Sequence, residues 1–469
     1  MSIIFTSKNL LEDHLHSNFN PEAKPILITL LICLLLSCLL YMTKRTPCQV
    51  YLLDFACYKP SDAQKCTKEF WIEKLKHMGN FSEEMMNFFT KCVSKLGLGD
   101  STYLAEVFLK KDFDPCMKEA RREMEMSVFG SIDMLLAKTG VRCEDIGILI
   151  VNCCIYNTVP SLSSMIVNRY KLKESIISYN LAGMGCSAGL MAVGLAEKLL
   201  QVHHDSYALV MSTEGITENC YLGDDRSKIL ANCIFRIGGA AILLSNRPSD
   251  HHSCKYKLLH NVHNNESSSD RSYNCIIQEE DGAGRRGITI TEDLFKVAPA
   301  VIRSNVTTLG HELILPLSEK LKYLTNCIAR KLRPAANIQP YIRDYSKSVE
   351  LFLPHVGAKP MQDEVQKHLG FGDTAMEPSR MTLYRFGNTS SSSIWYELAY
   401  AEAKGRVKKG NRIWQIAYGS GFKCSSVVWR ALRTVNYDEM NPWTDEIDEF
   451  PVDVHCDVGS FSIFFEPSK

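Results

Sequence analysis

The sequence predicts an α/β protein, and three observations carry that expectation. Residues 146–151 and 207–212 are short continuous apolar runs, the pattern of strands covered on both faces. Helical periodicity fills the stretches beside them, at 161–170 and 187–200. The alternation returns late in the chain, with strands expected at 349–353, 413–418 and 425–430 and helices at 360–369 and 391–404. Two βαβ-rich halves, parallel sheets inside and helices outside, would result.

In chain order, the first feature is the apolar stretch 26–42, ILITLLICLLLSCLLYM, whose 17 residues lie near the lower limit for a membrane-crossing helix. A cleaved signal peptide is the rival reading. Against it, the stretch begins late, comes after Glu12, Asp13, Glu22 and Lys24, and ends in no small-x-small pattern. One transmembrane anchor is expected, with Lys44 and Arg45 favouring a cytosolic side for the catalytic portion. Helices are expected at 82–96 and 115–139, a strand at 175–179, and a further strand over 233–245 broken by Gly238-Gly239. Residues 247–253 form a polar turn, and 263–274 form the most loop-like part of the chain. A helix over 291–309, an apolar loop through Pro316, helical segments to 332 and a Pro- and Tyr-containing connector to 345 complete the reading.

Composition narrows the function classes. The 469 residues suffice for one large unit or two core-forming halves, and 53 basic residues balance 53 acidic ones. No bulk field therefore points to nucleic acid as a partner. The 18 cysteines are scattered through apolar runs without disulfide or zinc spacing, which fits a reduced, cytosol-facing protein with no metal.

Cys186 stands out among them. It sits in Asn180-Leu-Ala-Gly-Met-Gly-Cys-Ser-Ala-Gly-Leu190, where Gly183 and Gly185 permit a tight backbone approach and a helix pattern begins after the thiol. N–H groups at that helix start would lower the thiol pKa and make a nucleophile; a buried structural cysteine is the bland alternative. His355 comes after the apolar run 349–353, and Asn388 lies in Arg385-Phe-Gly-Asn-Thr-Ser-Ser-Ser-Ser393. All three polar groups are expected at strand-to-helix junctions. A neutral imidazole and a carboxamide can donate to a developing enolate oxygen, although His355 could be an ordinary strand-end histidine and Asn388 a helix cap. Gly419-Ser-Gly421 reads equally as a turn, and the basic run 404–412 as a solvated one.

With Val50-Tyr-Leu-Leu-Asp-Phe-Ala-Cys-Tyr-Lys-Pro60, Gly147-Ile-Leu-Ile-Val-Asn-Cys-Cys154, the Cys186 segment, 370–393 and Gly419-Ser-Gly-Phe-Lys-Cys424 in view, the chain resembles the plant-type very-long-chain 3-ketoacyl-CoA synthases. More distantly it is similar to chalcone synthases and bacterial ketoacyl synthase III. The resemblance implies a thiolase-like layered fold. Its halves would be 50–335, carrying the nucleophile, and 336–469, carrying His and Asn, after an N-terminal segment 1–25 and the anchor 26–42. It further implies catalytic roles for Cys186, His355 and Asn388, and backbone support of the acyl oxygen by Cys186, Gly419 and Gly421. Long-chain acyl-CoA and malonyl-CoA would be substrates, with no separate cofactor. The resemblance also implies a homodimer at the endoplasmic reticulum membrane, alongside a ketoreductase, a dehydratase and an enoyl reductase.

The chain departs from the family pattern near the site. His355-Val-Gly-Ala-Lys359-Pro360 stands where relatives read His-Ala-Gly-Gly-Arg, and Leu351 and Asn265 occupy places commonly held by His. Two other readings stay open: a polyketide-type enzyme that repeats the condensation, and a catalytically weak elongase partner.

Overall fold

Burial of both faces of the central strands organises the protein. The computed structural model describes residues 29–34, 36–37, 48–79, 81–310, 317–333, 338, 345–436 and 438–454. The chain divides into two units, Met1–Cys48 and Gln49–Lys469. In the first, residues 29–34 and 36–37 are helical and Leu30, Leu31, Ile32, Leu34 and Leu36 are exposed. The remainder of the expected anchor 26–42 lies outside the described residues, among which no helix is long and apolar enough to cross a membrane.

The second unit carries thirteen described strands. They are β1 (Tyr51–Cys57), β2 (Lys65–Cys66), β3 (Thr102–Tyr103), β4 (Ile146–Asn152), β5 (Ile177–Leu181), β6 (Tyr207–Thr213) and β7 (Gly239–Ser245). Then come β8 (Tyr256–Asn265), β9 (Ile276–Glu280), β10 (Arg286–Ile290), β11 (Leu351–Pro354), β12 (Arg412–Gly419) and β13 (Lys423–Ala431). Nine form one continuous sheet in the order β11-β12-β13-β8-β1-β7-β6-β4-β5. The wholly parallel expectation is corrected here. Among these pairs only β4–β5, β4–β6 and β11–β12 are parallel, and the others are antiparallel. Continuous apolar runs report that both faces are covered, which antiparallel strands also achieve when helices flank them.

The sheet changes character at its middle, where β1 and β8 share only the pairs Tyr51↔Lys257 and Leu52↔Tyr256. On one side, Leu149, Val151, Leu209, Met211 and Leu243 pack on Met124, Val128, Ile132 and Leu135 of the helix Met117–Thr139. At the other end, Trp414, Ile416 and Val428 pack on Val297, Val301, Ile302 and Val306 of the helix Leu294–Leu309. Between the halves lie the helices Ala188–Val202 and Ser393–Ala403. Their Leu190, Val193, Trp395 and Leu398 share one core with Ile148 and Val210 of the first half and Ile413 and Val427 of the second. Helix, sheet, helix pair, sheet and helix thus succeed one another as layers.

A buried ionic cluster ties β1 to β8 at that junction. Lys255 lies 2.8 Å from Asp54 and 3.0 Å from Glu402, and the Tyr256 hydroxyl donates to Glu402 at 2.6 Å. Truncating Lys255 would leave the buried Glu402 without a cation, holding only the Tyr256 hydroxyl, while Asp54 would keep Lys138 at 3.3 Å. Lys255→Ala is therefore expected to cost about 3–5 kcal/mol, read as a lower denaturant midpoint with all other residues intact.

Local expectations differ from the structure in three places. Residues 226–234 are helical, the Asp225 side chain accepting from the Ser227 N–H to cap the helix, so the strand expected from 233 begins only at Gly239. Residues 263–265 belong to β8 because β13 pairs with them, and 270–274 form a short helix capped by Ser269. The helix Asp373–Phe386 holds Pro378, a residue that masks helical patterning, and was not anticipated. The loop through Pro316 lies outside the described residues, as does most of the connector to Tyr345.

Candidate active site

Three short connections build the site. β5 ends at Leu181, and the chain passes through Gly183 (φ +64°) and Gly185 (φ +68°) before the helix Ala188–Val202 begins. Those left-handed angles favour glycine, and a Cβ on Gly185 would collide with the Ser420 nitrogen. They deliver Cys186, partly exposed, just before the helix. His355 comes directly after β11; its N–H donates to the Ile416 carbonyl at 2.8 Å, and its carbonyl accepts from the Tyr418 hydroxyl at 3.3 Å. Asn388 corrects the strand-to-helix expectation. It lies between the helix Asp373–Phe386 and the helical turn Ser390–Ser392, held by a single bridge to Phe235.

Cys186, His355 and Asn388 line one cavity of about 110 Å³, with Gly419 and the apolar side chains of Leu230, Phe235, Ile276, Ile290, Leu294, Phe295, Met361 and Phe422. Gly421 lies outside it, in an adjoining recess of about 290 Å³ that also reaches Cys186 and contains Cys154, Glu214, Ser390, Ile277 and Ile288. A larger recess of about 440 Å³, lined by Asp373, Glu377, Arg380 and Val454, includes none of the three. Among the described residues no cluster of His, Cys, Asp or Glu is placed to hold a metal ion.

Electrostatics assign each group a protonation state. Burial pushes the Cys186 thiol up to about 12; the Ser390 hydrogen bond pulls it down, while Cys154 and Glu214 add to the rise. The lowered thiol pKa expected from the helix start is thus overturned, because desolvation of a thiolate outweighs one helix end. Burial alone lowers His355 to about 3, so the ring is neutral, and its Nδ1 has no partner. In the folded state this histidine binds fewer protons than in the unfolded chain between about pH 3 and 6.5. Its contribution to stability is present above 6.5 and falls away as pH drops, by up to about 1.4 kcal/mol per pH unit. His355→Gln is expected to flatten that limb of an acid-unfolding curve.

The Asn388 carboxamide is oriented by two bonds. Its Oδ1 accepts from the Ser390 N–H at 2.8 Å and its Nδ2 donates to the Gly357 carbonyl at 3.1 Å, leaving a second amide hydrogen. Gly419 abuts the nucleophile's backbone, since a Cβ there would collide with the Cys186 nitrogen. Gly419→Ala is expected to displace Cys186 and lower condensation about a hundredfold, measured as kcat beside an unchanged far-ultraviolet dichroism.

Two polar residues were missed by sequence reasoning. Ser390 Oγ lies 3.6 Å from Cys186 Sγ and 2.8 Å from Glu214, whose other oxygen accepts from Cys153 Sγ at 3.2 Å and the Ile155 N–H at 3.0 Å. Burial raises the Glu214 carboxyl above the ordinary range, these hydrogen bonds opposing the rise. A charged residue closing the apolar strand β6 was the available signal. Of the adjacent thiols, Cys153 is buried against Glu214, while Cys154 faces the second recess. Asn265, one of the departures from the family pattern, ends β8 opposite Lys423 and accepts from the Ser267 N–H at 3.1 Å.

Comparison with known proteins places nearly the whole chain. Residues 41–332 match the family described as FAE1/Type III polyketide synthase-like protein, and 345–431 match the 3-oxoacyl-[acyl-carrier-protein] synthase III C-terminal family. The chain is 50% identical over 460 residues to 3-ketoacyl-CoA synthase 2 of Arabidopsis thaliana, covering 97% of this chain and 86% of that protein. The chain belongs to the 3-ketoacyl-CoA synthase family. A second member, Arabidopsis 3-ketoacyl-CoA synthase 11, is 52% identical over 433 residues, covering 91% of this chain and 84% of its own. The family's fold is also that of solved type III polyketide synthases. The C-terminal type III domain of Steely1, a hybrid synthase from Dictyostelium, superposes with TM-score 0.63 at 15% identity, covering 82% of this chain and 99% of that domain. A mutant of CsyB gives TM-score 0.65 at 18% identity, covering 82% and 100%.

Proposed function

We propose that this member of the 3-ketoacyl-CoA synthase family joins a long-chain acyl-CoA to malonyl-CoA, with loss of CO₂, as the first step of very-long-chain fatty acid elongation. The single observation carrying the mechanism is the shared apolar cavity of Cys186, His355 and Asn388. In the first half-reaction Cys186 sulfur attacks the acyl thioester, its carbon–sulfur bond to CoA breaks, and the sulfhydryl proton leaves with CoA. The recess walled by Ile276, Ile277, Ile288, Ile290 and Phe235 has the apolar character that an acyl chain requires. The Cys186 N–H, with the Gly419–Gly421 turn beside it, is the proposed holder of the acyl oxygen.

Malonyl-CoA then enters. His355, kept neutral, and the Asn388 amide donate to its thioester oxygen as the carbon–carbon bond to CO₂ breaks. The resulting enolate carbon attacks the acyl-cysteine, and the bond to Cys186 sulfur breaks to release 3-ketoacyl-CoA and a thiolate, which takes a proton from water to restore the thiol. An apolar wall favours the decarboxylation, since it desolvates a carboxylate whose charge passes onto the delocalised enolate as neutral CO₂ departs. CoA thioesters serve as substrates and no cofactor is invoked. The reading includes residues 26–42 as an anchor in the endoplasmic reticulum membrane, a homodimer, and a ketoreductase, dehydratase and enoyl reductase acting on the product.

The test supplies purified full-length protein with a panel of acyl-CoAs and carboxyl-labelled malonyl-CoA. One 3-ketoacyl-CoA and one CO₂ per turnover are expected. Multi-keto products would favour the polyketide reading, and neither product nor CO₂ with any chain length would indicate a non-catalytic partner.

A further inference from the structure

The helix Leu317–Leu332 is rotationally fixed by its inner face. Glu319 is buried there, 3.0 Å from Lys322 and 3.6 Å from Lys347. With that face inward, Leu321, Leu324, Ile328 and Leu332 are turned outward, exposed by 51, 53, 47 and 75%. Their spacing of three, four and four residues sets them in one narrow stripe. Four aligned aliphatic side chains left in water are unusual for a folded surface and mark something that covers them.

The charges beside the stripe indicate what that is. At 100° per residue Lys322 and Arg333 fall on one flank and Lys331 on the other. From Lys320 to Arg333 the sequence holds five cations and no carboxylate. A binding groove on another protein would offer local countercharges at chosen points, whereas this arrangement sets cations at both ends of the stripe, Lys320 and Lys322 before the uncharged run 323–329 and Arg330, Lys331 and Arg333 after it. It matches a laterally uniform negative surface over an apolar layer, with lysine stems tracing the apolar boundary and ammonium groups reaching the headgroups. We propose that the helix Leu317–Leu332 lies in the interface of an anionic lipid bilayer, its leucine and isoleucine stripe among the acyl chains. This contact is separate from any span formed by residues 26–42, and it rests on no assumption about the reaction.

The test uses the full-length protein in bilayer nanodiscs of phosphatidylcholine and phosphatidylserine, some carrying brominated acyl chains. An environment-sensitive fluorescent amino acid is placed at position 324 on the stripe, or at 326 on the inner face, with circular dichroism confirming the fold of each. The expected result is blue-shifted emission quenched by brominated lipid at 324 and unquenched emission at 326. In a protein labelled at 324, the paired substitution Leu321→Glu and Ile328→Glu should abolish the quenching while condensation of a water-soluble short acyl-CoA continues. Absent quenching at 324, or equal quenching at both positions, would overturn the proposal. So would an emission shift at 324 that tracks protein concentration without lipid, since a second copy would then be the cover.

Discussion

Cys186→Ser is expected to lower 3-ketoacyl-CoA formation by about a thousandfold or more, measured by mass spectrometry of the CoA products. The hydroxyl is a poorer nucleophile and leaving group than sulfur, and both half-reactions pass through the bond it would form. The same thiol sets the pH dependence. With Cys186 at about 12, only roughly one molecule in 10⁵ carries a thiolate at pH 7. The rate of CoA release from acyl-CoA alone should therefore climb with pH, about tenfold per unit, without a plateau in the neutral range. A plateau near pH 7 would show that the thiolate is stabilised by a partner other than Ser390.

Replacing Asn388 with Ala is expected to slow CO₂ release from malonyl-CoA by about 10²–10³ and to leave the first burst of CoA from acyl-CoA intact. The separation stems from placement: the amide has bonds to Ser390 and Gly357 and none to the sulfur. His355→Ala should behave likewise, and the double substitution should cost less than the product of the two, because both donors serve one oxygen. The decarboxylation step should also show no titration between pH 5 and 8 attributable to His355, which stays neutral throughout that range. Equal losses in the CoA burst and in CO₂ release would remove the division of labour.

Much of the second half was legible because its elements announce themselves locally. Strands β11, β12 and β13 and the helix Lys359–Leu369 were placed within two residues by apolar runs and by Pro360 at a helix start. The same local signals failed where a partner strand or a cap decided the outcome. Residues 263–265 carry His and Asn, poor strand formers, and are strand because β13 supplies their hydrogen bonds. Residues 233–234 are apolar enough for a strand and are helix because Asp225 caps the segment before them.

The candidate site divides similarly. Cys186 was visible because two glycines, the residues that most readily adopt left-handed backbone angles, come just before it, and the family pattern drew His355 and Asn388 to attention. Glu214 and Ser390 were not visible, since a carboxylate after β6 and one serine among several have no significance until the fold sets them 2.8 Å apart.

By itself, then, the sequence determined the α/β class, the glycine turn around one thiol and the helical character of the segment that ends at 332, because each is a property of neighbours along the chain. Tertiary structure alone decided strand direction, the meeting of three distant polar groups in one cavity, and the protonation states found there. Direction and encounter depend on pairings between segments well separated along the chain, and a pKa depends on how much water the surrounding layers exclude.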